Sequence, residues 1–319
     1  MIFPSLRLSP DAGTPIAARH RRWLDAAGIV DPDLRAAYER CRRLHAGFGR
    51  TYYLATLLLP AEKRPYVNSL YGFARYADEI VDNGDPATKE GDLTRWSDQV
   101  LVDLASGRSS DPVCRALLHT LEIWDIPIAH IQAFLRSMLM DLTVTEYQTY
   151  ADLQEYMYGS AAVIGLQMVP ILEPLHDEAA HHAATLGEAF QMTNFVRDVA
   201  EDLRRGRIYF PMADLDSFGV TRADLMKDAA SAPVRSLIQF EIARTRKLYK
   251  TAEDGIALLA KSSRPCIRAA FVLYQGILDE VERADYQILD NRVSVRVRRR
   301  AGVAATGYLQ ARWNRIRSS

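Results

Sequence analysis

The chain has 319 residues, 48% hydrophobic and 25% charged, and its 40 lysines and arginines balance 40 acidic residues. That composition excludes a disordered chain, a collagen-like repeat and a uniformly basic nucleic-acid coat, and fits a folded globular protein. Cys41, Cys114 and Cys266 are too few and too widely spaced for a disulfide framework or a zinc site, and suit reduced, buried cytoplasmic thiols.

Residues 1–18 contain Pro4, Pro10, Gly13 and Pro15 and no apolar signal core, so they read as a loose N-terminal arm. Periodicity predicts an amphipathic helix over 34–45, a break at Ala46-Gly47-Phe48-Gly49-Arg50, and a short apolar segment over 51–59 ended by Pro60. Pro65 suits the first turn of a long helix that runs to the turn signal Asn83-Gly84-Asp85-Pro86. Ser110 or Asp111 caps the next predicted helix, with Pro112 in its first turn. Helices are further predicted over 132–144, over 153–172 with an interruption at Pro170, over 180–203 with a stop at Gly206, and over 234–259 and 265–289. No segment alternates as a strand, and no linker divides the middle of the chain. The fold class is therefore all-α: one helical domain over 19–300, followed by a basic tail over 301–319.

Two features along this path are left open by the residues. Gly159, Ser160, Ala161, Ala162 and Gly165 lie inside a predicted helix, where glycine costs about 0.8–1 kcal/mol against alanine. They serve close helix packing, the wall of a chamber for a long alkyl chain, or a kink. Residues 292–319 carry eight arginines and no acid, interleaved with Val293, Val295, Tyr308 and Trp313. Such a tail suits peripheral contact with the inner face of a membrane, or a solvated helix; nucleic acid is not expected. No run of about 18 apolar residues occurs, so nothing is expected to span a bilayer.

The chemistry concentrates in two acidic stripes. Asp78 and Asp82 stand four residues apart in one predicted helix, and Asp198 and Asp202 do so in another. Four residues advance about 40° past a full turn and about 6 Å along the axis, so each pair shares a face. Tyr71 and Arg75 fall close to the first stripe, Gln191 and Asn194 close to the second. Two carboxylates about 6 Å apart repel by about 3 kcal/mol at a dielectric near 20, which favours a bound cation. Hard oxygen donors point to Mg²⁺, or Mn²⁺, rather than zinc or copper. A solvated acidic helix face is the plain alternative. It is disfavoured by Arg197, Arg204, Arg205 and Arg207 along the second stripe and by the apolar flanks of the first.

At 194–211 the sequence NFVRDVAEDLRRGRIYFP closely resembles the second signature of the squalene/phytoene synthase family, and YGFARYADEIVD at 71–82 resembles the first. Between them YMYGSAAVIG at 156–165 is similar to the family's small-residue helix, and YQGILDEV at 274–281 continues the match. The wording of the blocks looks most like the bacterial phytoene synthase branch. The resemblance implies an isoprenoid-synthase-type helical bundle around a central apolar cavity. It also implies Mg²⁺-dependent head-to-head (1′–1) condensation of two isoprenyl diphosphates, with release of pyrophosphate. In that reading Asp78, Asp82, Asn194, Asp198 and Asp202 hold the metal, and Tyr71 and Arg75 join the aspartates in catalysis. Arg75, Arg197, Arg207 and Arg292 hydrogen-bond the diphosphates, and Arg50 is a further candidate. Thr51 stands where the family carries a Ser or Thr near substrate, and Gln191 supports metal-bound water or phosphate. Tyr71, Tyr156 and Tyr274 occupy aromatic family positions, where rings stabilise cationic centres, hydroxyls place pyrophosphate, or the residue simply packs a core.

The family's branches differ in the last step, hydride transfer from NADPH against loss of a proton. NADPH is not expected here, although relatives that use it also lack a GxGxxG loop. The expectation is two geranylgeranyl diphosphates joined to phytoene through prephytoene diphosphate. The alternatives are squalene, dehydrosqualene or a hydroxylated relative from two farnesyl diphosphates, or a non-catalytic assembly protein, which would be expected to lose signature aspartates or arginines. A di-iron carboxylate bundle is disfavoured because only Glu178-Ala-Ala-His181 supplies its Glu-x-x-His unit. A class I terpene cyclase would lack the RxYxP extension. Two departures from the family pattern stand out: Glu79 replaces a frequent second aspartate, and Ala162-Val163 replaces Gly-Thr.

Overall fold

The computed structural model describes residues 16–290 apart from 86, together with 302, 306, 307 and 311. As the periodicity predicts, this chain is all-α; among the described residues β-structure is confined to the isolated bridges Glu146–Ile208 and Pro174–Leu259. It forms two compact units, divided in sequence between Leu142 and Thr143.

The first unit is built from α1 (Ala18–Ala26), α2 (Pro32–Phe48), α3 (Arg50–Thr56), α4 (Arg64–Asn83), α5 (Lys89–Ser106), α6 (Pro112–Ile123) and α7 (Ile128–Thr143). Helices α2, α4 and α6 pack on one another. Asp31 and Asp111 cap α2 and α6 by accepting from the amides of Leu34 (2.7 Å) and Cys114 (2.9 Å), each followed by a first-turn proline. Phe73 of α4 meets Trp96 of α5 and Phe134 of α7 in the buried core. The expected break at 46–50 shrinks to Gly49 alone, because α2 runs on to Phe48. Helix α5 has no counterpart in the sequence reading: its buried stripe of Leu93, Trp96, Val100 and Leu104 is thin among charged neighbours.

The second unit holds α8 (Tyr150–Met157), a π-helical turn (Tyr158–Ala162), α9 (Val163–Leu172), α10 (Glu178–Arg204), α11 (Met212–Ser217), α12 (Arg222–Leu225), α13 (Ala232–Glu253) with a 3₁₀ turn (Asp254–Leu258), and α14 (Arg264–Arg283). Helix α10 is its axis and packs against α9, α13 and α14. The single helix expected over 153–172 is instead interrupted at the π turn, while Pro170 is accommodated inside α9. A Cβ on Gly165 would lie 2.1 Å from the carbonyl oxygen of Ala183, and one on Gly187 would lie 2.3 Å from that of Ala161. Gly165 of the small-residue stripe, with Gly187 facing that stripe from α10, therefore serves close helix packing. Helix α14 stops at Arg283, short of the expected 289, where Asp285 and Tyr286 turn to positive φ (50° and 60°).

One device opens a long helix in each unit. Arg64 donates from Nε to the carbonyl of Leu59 (2.9 Å) and from Nη2 to that of Leu57 (2.7 Å). Arg264 donates in the same way to Leu259 (2.9 Å) and Ala257 (2.8 Å). Each arginine precedes a proline, so the guanidinium ties down the preceding turn where the helix has fewest internal bonds.

Candidate functional site

In the first unit α4 carries Tyr71, Arg75, Asp78 and Asp82 at successive turns, all half-buried. The Arg75 guanidinium pairs with Glu79, stands 4.0 Å from Asp78 and lies 4.3 Å above the Phe48 ring at the end of α2. Glu79 is turned inward: its side chain is 7% exposed against 42% for Asp78, and it accepts a hydrogen bond from Asn83 (2.9 Å). The substitution of glutamate beside Asp78 thus supplies a buried brace for Arg75. Thr51 sits half-buried in the first turn of α3 and Arg50 is exposed. The Tyr71 ring stacks on His45 at 4.1 Å and 16°. His45, which the sequence reading does not single out, is buried and bonded through Nδ1 to Asn68 Oδ1 (2.9 Å). Burial, above all, lowers its pKa to about 4.

In the second unit α10 presents Gln191, Asn194, Arg197, Asp198 and Asp202. Asn194 donates to Gln191 Oε1 at 3.4 Å, while its own Oδ1 is buried and accepts no hydrogen bond from any described residue. Arg197 closes on its neighbour Asp198 with both Nε (2.8 Å) and Nη2. Burial first, and then the Asp198 charge, push Asp202 up to about 8. Beyond α10 the chain doubles back, and the amide of Ile208 bonds the carbonyl of Thr145 (2.8 Å). That return delivers Tyr209 to an aromatic stack, with Phe195 at 4.1 Å and Tyr156 at 5.7 Å; Tyr147 in turn lies 5.4 Å from Tyr156. Asp202, Arg207, Phe195 and Tyr209 line one recess together with Leu225. Tyr274 of α14 is buried against Phe190 (4.6 Å), away from this stack in sequence and environment. Arg292, residues 1–15 of the N-terminal arm expected over 1–18, and most of the basic tail lie outside the described residues; Ala18 already opens α1.

Among the described residues no three His, Cys, Asp or Glu side chains form a ready-made metal cluster. Each acidic stripe instead offers a pair of carboxylates, and the second adds the unbonded Asn194 carbonyl. A donor set of hard oxygens, two carboxylates at a time, fits Mg²⁺, which keeps other positions for water and phosphate. Phe48, Tyr147, Phe195 and Tyr209 escape the carboxylate-centred reading; the clue to Tyr209 is its place in the RxYxP stretch that follows the second stripe. Among the described residues no helix is long and apolar enough to cross a membrane.

Comparison with known proteins places these features in context. The family model described as "Squalene/phytoene synthase" matches residues 45–299. The chain is 36% identical over 273 residues to "Phytoene synthase" of Arthrospira platensis, covering 81% of this chain and 88% of that one. It is 35% identical over 271 residues to "15-cis-phytoene synthase" of a Synechocystis species, covering 81% and 80%. Among solved structures, a dehydrosqualene synthase in complex with ligand superposes with a TM-score of 0.80 at 28% identity, over 87% of this chain and 98% of the other. The squalene synthase HpnC from Alicyclobacillus acidocaldarius gives 0.73 at 28%, over 82% and 98%.

Proposed function

The chain belongs to the squalene/phytoene synthase family, and from that premise we propose that it is a phytoene synthase: it joins two C20 geranylgeranyl diphosphates head to head. The observation that carries this reading is the match to proteins named phytoene synthase over four-fifths of the chain, with both aspartate pairs and the RxYxP stretch in place. The first carbon–oxygen bond breaks to give an allylic cation and pyrophosphate. The cation adds to the second substrate's double bond with loss of a proton, forming a cyclopropylcarbinyl diphosphate. A second ionisation, rearrangement and proton loss yield the hydrocarbon, so two pyrophosphates leave in all.

Asp78 and Asp82, and Asp198, Asp202 and Asn194 Oδ1, would hold Mg²⁺, which when bound supplies the positive charge that stabilises departing pyrophosphate. Arg75 and Arg207 add charge-assisted hydrogen bonds to phosphate oxygens. Arg197, already paired with Asp198, acts through that carboxylate by orienting it. Gln191 orients the Asn194 amide by accepting its hydrogen bond, and Thr51 is assigned to substrate contact at the start of α3. Tyr71 is assigned to stabilising cationic carbon with its ring, and Tyr156, buried in its aromatic column, to a packed wall that excludes water. Tyr274 and Arg292 complete the assignment. Proton loss as the final step needs no NADPH. A hydrocarbon product would make contact between the basic tail and a membrane useful.

The test is direct. Purified protein with Mg²⁺ is given C15 or C20 diphosphate, and the hydrocarbon is identified by mass. A C40 product from the C20 substrate is expected; a C30 product from the C15 substrate alone would replace this reading with the squalene-type one, the chemistry named for the two solved structures above.

A further inference from the structure

We propose that His45 is a positioning residue for Tyr71: its buried imidazole is the plate that sets the Tyr71 ring, and Gly49 leaves the space that the phenol end fills. The inference rests on the assignment of Tyr71 to the reaction made above. His45 on α2 is only 1% exposed, whereas Tyr71 is half-buried, so a fixed ring backs one that reaches outward. Two residues of α4 hold the imidazole. Asn68, itself buried, accepts from Nδ1 at 2.9 Å, and Tyr71, one turn further on, lies parallel to the ring at 4.1 Å. The hydrogen bond ties the edge of the imidazole to α4, and the ring face beside it is the one on which Tyr71 rests.

That bond also assigns the proton to Nδ1, which leaves Nε2 as a buried acceptor with no donor among the described residues. The residue offers Tyr71 a flat ring face and donates one hydrogen bond, to Asn68. Tyr53 closes the edge of the imidazole at 5.4 Å and 81°, and its hydroxyl accepts from Arg42 (3.2 Å), which is clamped on Glu39. Between α2 and α3, a Cβ at Gly49 would fall 2.4 Å from Tyr71 Cζ and 2.6 Å from its hydroxyl oxygen. Any side chain at position 49 therefore displaces the phenol.

The experiment is a double-mutant cycle with kcat and KM measured on the diphosphate substrate with Mg²⁺, and helix content recorded for every variant. His45→Ala and Gly49→Ala are expected to lower kcat by about tenfold with KM changed less than threefold, as misplacement of a reacting group does. His45→Phe, which keeps the plate, is expected to recover most of that loss. In a Tyr71→Ala background neither His45→Ala nor Gly49→Ala lowers kcat further. Should His45→Ala not fold, His45→Asn keeps a partner for Asn68 and removes the ring, and it enters the same cycle. An equal loss from the His45 change with and without Tyr71 overturns the proposal, as does failure of a folded His45→Phe to recover activity. Full activity in Tyr71→Ala alone would instead overturn the assignment of Tyr71 to the reaction.

Discussion

Asp202 follows Asp198 by one turn of α10, and the two carboxyls are unequal: Arg197 grips Asp198, while burial and the Asp198 charge hold Asp202 up at about 8. Such a pair is repulsive in isolation, and a divalent cation reverses the sign of its contribution. Mg²⁺ at a hundredfold excess over its dissociation constant is therefore expected to stabilise the fold by about 2.7 kcal/mol, read as a rise in the thermal midpoint. Asp198→Asn should blunt that rise and abolish turnover while leaving the far-ultraviolet helix signal intact. Asp82→Asn should do the same to turnover; activity in both variants would contradict the metal assignment.

The buried histidines predict an acid limit. Burial lowers both His20 and His45 from 6.5 to about 4, and moves His119 and His130 in the same direction. Between those values the unfolded chain takes up protons that the native state refuses. Stability is then complete above about pH 6.5 and falls as the pH drops toward 4, at up to about 1.4 kcal/mol per pH unit for each imidazole. Urea titrations at pH 7.0, 6.0 and 5.0 would follow this slope, and His45→Phe should reduce it.

The close helix contacts of the second unit predict intolerance to a single methyl group. Gly165→Ala and Gly187→Ala each drive a Cβ into a backbone carbonyl, which cannot rotate away. Each is expected to cost about 1–3 kcal/mol, the usual penalty of overpacking, against a gain of up to about 1 kcal/mol from helix propensity. A denaturant midpoint at or above that of the parent would show that α9 and α10 can separate without loss.

The arginines that open α4 and α14 predict a matched pair of effects. Arg64→Ala and Arg264→Ala each remove two hydrogen bonds to the carbonyls of a preceding turn. About 1–3 kcal/mol should be lost in each case, with lysine a poor substitute because one ammonium cannot span both carbonyls in the same plane. Hydrogen exchange localised to 57–64 or to 257–264 would report the loosened turn.

Local signals made much of this legible in advance. Pro65, Asp111 and Pro112, and the i,i+4 aspartates, each act within one turn of chain, and each is found where its chemistry put it. What escaped depends on partners distant in sequence. The plate under Tyr71 is contributed by α2, and nothing near His45 in the chain announces it. The inward Glu79 pairs with an Arg75 whose guanidinium lies over Phe48 of α2, a residue distant in the chain. The π turn at Tyr158–Ala162 is shaped where the Ala161 carbonyl meets Gly187 of α10, a contact no window of 20 residues contains. Helix α5 escaped for another reason: its apolar stripe is one residue wide per turn.

That π turn has an engineering consequence. A residue inserted into an α-helix rotates everything beyond it by about 100° relative to everything before. Tyr156, in its aromatic column, and Gly165, locked against Ala183, lie on either side of the widened coil. Deleting one residue there would give a smoother, intrinsically happier rod and yet unscrew the two ends from their mates. The irregularity works as a phase adjuster, and designers tempted to iron it out should expect a protein that gains helical signal and loses its interior registration.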